Sequence, residues 1–132
     1  MFFLRKFVAE RAAFRCEYCR IAESDSNYAY HHLEHIISRQ HGGSDEADNL
    51  AYSCSIGNWK KGNKVATLLE KGGSFVPLFN PRTDDWFDHF AVENGVIIAK
   101  TPIGAATVKS LDLNFLDKII ERRELTIAGR WP

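Results

Sequence analysis

Apolar side chains recur at helical and then at strand-like intervals through the first half of the chain. Leu4, Phe7 and Val8 share one helical face, which predicts an amphipathic helix over residues 4–14. The pattern beyond it predicts a strand over 28–38, a glycine-bearing polar loop over 40–48, a strand over 50–53 and a helix over 56–69. This mixture of periods indicates an α+β fold.

The second half predicts a hairpin followed by two helices. Asn94 and Gly95 lie between the apolar runs 86–92 and 96–100, and this dipeptide is the strongest short-range hairpin signal. Thr101 and Pro102 are typical of an N-cap and a first helical position. Asn114 with Asp117 resembles a capping box that would open the last helix.

Composition limits the class of protein. The 132 residues carry 17 Lys+Arg and 17 Asp+Glu and are 45% hydrophobic, which predicts one soluble domain over 1–132. No apolar stretch approaches the ~20 residues of a membrane helix, so we expect a cytoplasmic protein without a membrane partner. Because the formal net charge is zero, any phosphate contact must be a local patch, and the candidates are Lys60, Lys61 and Lys64.

Four polar residues stand out by their places in the predicted elements. Glu34 and His35 end the first strand, Asn49 closes the loop, and Asn58 lies in the first turn of the following helix. The chain can fold back between these positions and bring the four side chains to one point. A strand-loop-strand-helix unit with one polar cluster is therefore expected.

Residues 14–63 resemble the HNH endonuclease family in order and spacing. The resemblance rests on five motifs: Phe14-Arg15-Cys16-Glu17-Tyr18-Cys19, Glu34-His35-Ile36-Ile37, Gly42-Gly43-Ser44, Asn49-Leu50 and Cys54 with Asn58-Trp59-Lys60-Lys61-Gly62-Asn63. It implies a ββα-metal (His-Me finger) core over about 14–70, with an N-terminal helix and with a cysteine knuckle formed by Cys16-Glu17-Tyr18-Cys19. The hairpin and helices over about 78–132 resemble the accessory half of a bacterial and cyanobacterial subgroup.

The resemblance also implies residue roles and a reaction. His35 is expected to be the general base, Glu34 and Asn58 the ligands of a catalytic divalent ion, and Asn49 the brace of the loop. The implied activity is hydrolysis of DNA phosphodiester bonds with Mg²⁺ or Mn²⁺. His32 lies two residues from Glu34 on the same predicted strand face and is a weaker candidate for the metal or phosphate.

Physical chemistry supports these roles. A neutral imidazole such as His35 takes a proton from water at physiological pH. A carboxylate and an amide oxygen suit a hard cation such as Mg²⁺, and that cation offsets the negative charge of the transition state. The alternative interpretations are a surface ion pair for Glu34 and turn or cap duty for the two asparagines.

The cysteines pose a separate question. Family members with this layout place four thiolates around a structural zinc, but this chain has Cys16, Cys19 and Cys54 and carries Gly57 at the expected fourth position. Two outcomes stay open: a nearby histidine or water completes the zinc site, or the thiols are buried without metal.

Rival functions also stay open. A non-catalytic nucleic-acid-binding module on a degenerate HNH scaffold is favoured by Gly57 and the zero net charge. A structural or protein-interaction domain is a third class. The sequence leaves RNA as an alternative substrate.

Overall fold

The computed structural model describes residues 2–26 and 30–132 and mixes helices with short strands. The helices are α1 (Phe2–Arg11), α2 (Ser55–Lys61), α3 (Trp86–His89), α4 (Pro102–Leu111) and α5 (Leu116–Ile127). The strands are β1 (His32–His35), β2 (Leu50–Ser53), β3 (Ala66–Leu68), β4 (Phe75–Pro77), β5 (Phe90–Glu93) and β6 (Val96–Ala99). The α+β class predicted from the sequence is confirmed.

Strands pair as consecutive antiparallel hairpins: β1 with β2, β3 with β4, and β5 with β6. In the first hairpin Glu34 lies opposite Ala51 and His35 opposite Leu50. Helix α2 begins two residues after β2, so the order β1–β2–α2 matches the expected strand-loop-strand-helix unit. Its start is capped by the Cys54 sulfur, which accepts a hydrogen bond from the Gly57 N–H.

One apolar core joins the two halves of the chain. It includes Cys16 and Ala51 from the first half and Phe79, Phe90 and Trp131 from the second. A smaller cluster lies between α1 and β2. In the described part of the chain, none of the helices combines the length and the apolarity of a membrane span.

Three sequence-based predictions in the first half need correction. The helix predicted over 56–69 ends at Lys61, because Gly62 adopts a positive φ of 55°. Residues 66–68 instead form β3, which pairs with β4 across a turn that contains Gly72. The strand predicted over 28–38 is β1 alone, and its predicted beginning at Tyr28 lies outside the described residues.

The second half also differs in two details. Residues 86–89 form α3 rather than strand, which places the Trp86 and Phe90 rings together in the core, with centroids 4.8 Å apart. Asn114 does not cap α5, whose N-cap is Phe115. The side-chain amide of Asn114 instead accepts a hydrogen bond from the Ile97 N–H and donates one to the Ile97 carbonyl, which fastens β6.

The local signals around the predicted hairpin and the helix after it are confirmed. Asn94 and Gly95 form the turn between β5 and β6, both with positive φ. The Thr101 hydroxyl accepts a hydrogen bond from the Gly104 N–H, and Pro102 is the first residue of α4.

Candidate active site and cysteine cluster

One surface cleft collects the candidate residues of β1 and α2. The cleft has a volume of about 380 Å³ and is lined by Glu34, His35 and Asn58. Strand β1 supplies the first two from adjacent positions, and the third comes from the middle of α2. Arg39 and Gln40, from the loop after β1, also line the cleft.

Glu34 is almost fully buried and already has two partners. Its Oε1 lies 2.6 Å from the Lys61 ammonium, and its Oε2 accepts a hydrogen bond of 2.9 Å from the Tyr18 hydroxyl. Burial raises the pKa of the Glu34 carboxyl, and Lys61 opposes that rise. Since each carboxylate oxygen carries two lone pairs, these partners leave one lone pair on each.

The expectation that Lys61 contacts phosphate is wrong in this structure. Its side chain is only 2% exposed. The ammonium points inward, where it meets Glu34 and donates hydrogen bonds of 3.1 Å to the carbonyls of His35 and Ile36. All three of its protons are thereby used.

The other two lysines of the predicted patch keep more exposed positions. Lys60 lies 3.5 Å from the carboxylate of Asp112, with about a third of its side chain exposed. Lys64 donates a hydrogen bond of 3.2 Å to the Lys60 carbonyl from an exposed position.

His35 has a partner that the sequence analysis missed. Its Nε2 lies 2.8 Å from Asp45 Oδ1, the same oxygen that accepts a hydrogen bond from Arg39 Nε. Hydrogen bonds from Arg39 and then from His35 lower the pKa of Asp45, so this carboxyl is ionised near neutral pH. An ionised carboxylate can only accept, which places the ring proton on Nε2 and leaves the Nδ1 lone pair basic in the neutral imidazole.

Asn49 ties the loop between β1 and β2 to the end of β1. Its Oδ1 accepts a hydrogen bond from the Ile37 N–H, and its Nδ2 donates to the carbonyls of Ile37 and Ser44 at 2.9 and 2.7 Å. Gly43 passes so close that a Cβ there would lie 1.7 Å from the Ile37 carbonyl oxygen. The brace therefore requires both the amide and the glycine.

His32 lies on the exposed surface, and the residues that line the cleft do not include it. Its Nε2 lies 3.0 Å from the Ser55 hydroxyl at the start of α2. A contact of His32 with metal or phosphate stays a prediction.

Three buried cysteines form a second centre. The sulfurs of Cys16, Cys19 and Cys54 all lie within 4.8 Å of one another. Among the described residues, these three form the cluster of potential metal ligands that lie close enough together to hold one ion. Burial disfavours the Cys16 thiolate, but hydrogen bonds from Cys19 and Cys54 lower its pKa well below the usual value. The hydrogen bonds within the cluster therefore oppose the effect of burial on Cys16.

The surroundings of the cluster bear on its missing fourth cysteine. Gly57 lines the small cavity beside the sulfurs, and a Cβ at this position would lie 3.3 Å from Cys54 Sγ. The buried side chains of Lys118 and Arg122, from α5, line the same cavity. Gly57 is thus next to the thiols, in a cavity that Lys118, Arg122 and Asp112 also line.

Comparison with known families agrees with this arrangement. Residues 16–64 match the model of the HNH endonuclease family, which confirms the resemblance drawn from the sequence. The matched segment begins at the first cysteine and includes both strands of the first hairpin and α2. No curated protein and no solved structure matches the chain significantly.

We expect Asn49→Asp to destabilise the protein by about 2 kcal/mol, because a carboxylate would face the carbonyls that Nδ2 now serves. Urea unfolding at neutral pH measures the change. Asn63→Asp is the control, since Asn63 is exposed and donates only to the Gln40 side chain, and it should change stability by less than about 0.5 kcal/mol. Equal losses in the two variants would contradict the bracing role of Asn49.

Proposed function

We propose that the protein is a divalent-metal-dependent endonuclease that hydrolyses phosphodiester bonds of DNA. The observation that carries the proposal is the convergence of Glu34, His35 and Asn58 on one cleft within an HNH domain. An imidazole, a carboxylate and an amide at one point supply a base and two oxygen ligands. A soluble, cytoplasmic, single-domain protein is part of the same proposal.

In this mechanism His35 takes a proton from the attacking water. Asp45 holds Nε2–H, so Nδ1 is the nitrogen that accepts the proton. The resulting imidazolium is stabilised by the same carboxylate. Asn49 keeps the loop that carries Asp45 in register with the end of β1.

Glu34 and Asn58 are the residues that would hold a Mg²⁺ or Mn²⁺ ion. Such an ion supplies charge stabilisation for the phosphate and the leaving 3′ oxygen. Glu34 fits this role through the lone pairs that Lys61 and Tyr18 leave open, and Asn58 through its amide oxygen. Lys60 and Lys64 are the proposed contacts to neighbouring phosphates.

One observation favours the rival function. Because Lys61 already neutralises Glu34, the cleft holds together without a metal, as a non-catalytic nucleic-acid-binding module requires. RNA is the alternative substrate in either case. Cleavage assays with DNA and RNA distinguish these possibilities.

We further propose that the cysteine cluster holds a structural zinc ion. Three thiolates suit zinc, and their mutual distances of at most 4.8 Å fit one shared ion. A zinc ion with three thiolates would carry a formal charge of −1, which the buried Arg122 and Lys118 would complement, and Lys118 also lies 3.6 Å from the Glu121 carboxylate.

His35→Ala should lower the rate of plasmid nicking by a factor of about 10² to 10⁴, because it removes the general base. Relaxation of supercoiled plasmid with Mg²⁺ or Mn²⁺ measures this rate, and EDTA should abolish it. His41→Ala, in the exposed loop after β1, should keep the wild-type rate. Wild-type nicking by the His35 variant would refute the assignment, and absence of metal-dependent cleavage by the wild-type protein would favour the non-catalytic module.

Asp45→Asn should lower kcat about tenfold and leave KM within about twofold. The amide of the variant can rotate and donate its N–H to His35 Nε2. The ring proton then lies on Nδ1, the nitrogen that should accept a proton from water, although no group that contacts the substrate has changed. Initial rates over a range of plasmid concentration separate the two constants. Asp48→Asn, on an exposed residue of the same loop, is the matched control, and a kcat equal to that of this control would remove Asp45 from the mechanism.

Gly57→Cys should raise zinc affinity at least tenfold by adding a fourth thiolate beside Cys54, whereas Cys54→Ser should lower it. Competition with a chromogenic chelator measures affinity, and elemental analysis of the purified wild-type protein should give one zinc per chain. Ser110→Cys, on α4, controls for an added buried thiol outside the cluster. A wild-type protein that binds no zinc would leave the thiols as buried core residues.

A further inference from the structure

Trp59 is an exposed indole next to the candidate active site. It is 76% exposed, whereas Trp86 and Trp131 are buried in the core. It follows Asn58 directly on α2, and both Asn58 and Gly62, on either side of it, line the cleft. A large ring that is so exposed is a candidate contact for a partner.

The charges around the ring favour an anionic partner. The Lys60 ammonium lies over one face of the indole, 5.3 Å from the ring centroid. Lys64 approaches the same turn, because its ammonium binds the Lys60 carbonyl. An aromatic face beside two lysines matches a nucleobase and its flanking phosphates.

A second exposed aromatic residue, Tyr30, is joined to the start of α2 by a hydrogen bond. Ser55, one helical turn before Trp59 and therefore on the same side of α2, donates a hydrogen bond of 3.3 Å to the Tyr30 carbonyl. Tyr30 is itself exposed. The chain segments that carry the two exposed rings, Tyr30 and Trp59, therefore meet at the start of α2, and the Asp112 carboxylate lies 3.5 Å from the Lys60 ammonium.

We propose that Trp59 stacks on an unpaired base of a DNA strand whose phosphate lies in the His35 cleft. This inference rests on the proposed nuclease function and narrows its substrate to DNA with at least one unpaired nucleotide near the cleavage point. Bases inside a duplex have both faces covered by their neighbours. A free face is available only in a single strand, a bulge or a flap.

The test compares three labelled DNA ligands by fluorescence anisotropy without added Mg²⁺ or Mn²⁺, so that binding is measured without hydrolysis. The ligands are a single strand, a blunt duplex of the same sequence, and that duplex with one bulged base. We expect the wild-type protein to prefer the single strand and the bulge. Trp59→Ala should weaken binding of both about tenfold, and binding of the blunt duplex less than twofold.

Two further variants separate stacking from general loss of surface. Trp59→Phe keeps a flat ring and should stay within about threefold of the wild-type affinity for the single strand. Phe75→Ala removes a ring of similar exposure, 72%, on β4, and should not change affinity. Thermal unfolding should give the same Tm for Trp59→Ala as for the wild-type protein, since the ring is outside the core.

Equal affinity of Trp59→Ala and the wild-type protein for the bulged duplex would overturn the proposal. So would an equal loss for the blunt and the bulged duplex. A change from dimer to monomer in sedimentation, with unchanged DNA affinity, would instead assign Trp59 to self-association. Because these assays contain no active metal, failure of the nuclease proposal appears only as absent cleavage and leaves the stacking result independent.

Discussion

A buried ion pair between Glu34 and Lys61 fastens the first hairpin to α2. Removing two charges from water costs several kcal/mol per ion, so such a pair is tolerated only when its remaining hydrogen-bonding groups are also satisfied. Here the ammonium gives its other protons to the carbonyls of His35 and Ile36, and Tyr18 donates to the second carboxylate oxygen. The resulting network joins β1, α2 and the cysteine knuckle at one point.

The geometry of the cleft follows from this network. Lys61 lies three residues after Asn58, so the contact that seats Lys61 against β1 also turns Asn58 toward that strand. His35 follows Glu34 as the last residue of β1 and lines the same cleft. Its ring reaches the loop that follows, where Asp45 meets it. One buried pair thus sets the positions of the base and of both proposed ligands.

Local signals in the sequence were sufficient where a few neighbouring residues decide the structure. The Asn94-Gly95 turn and the Thr101-Pro102 helix start depend on their own backbone and side chains, and both are confirmed. Lys61 was expected at the surface, because a lysine on a short helix is usually solvated and its buried partner cannot be identified from the sequence. Asp45 was missed because its contact with His35 depends on the path of the loop, which no spacing rule gives. Asn114 has a cap-like position, but its tertiary contact with Ile97 prevails.

The second half of the chain supports the knuckle from outside the HNH segment. The indole of Trp86 donates to the Tyr18 carbonyl and that of Trp131 to the Cys19 carbonyl, at 2.8 and 2.9 Å. Two backbone acceptors of the knuckle are thereby satisfied by side chains distant in sequence, as buried carbonyls require. The core of the domain therefore holds this turn through side chains that are independent of any metal.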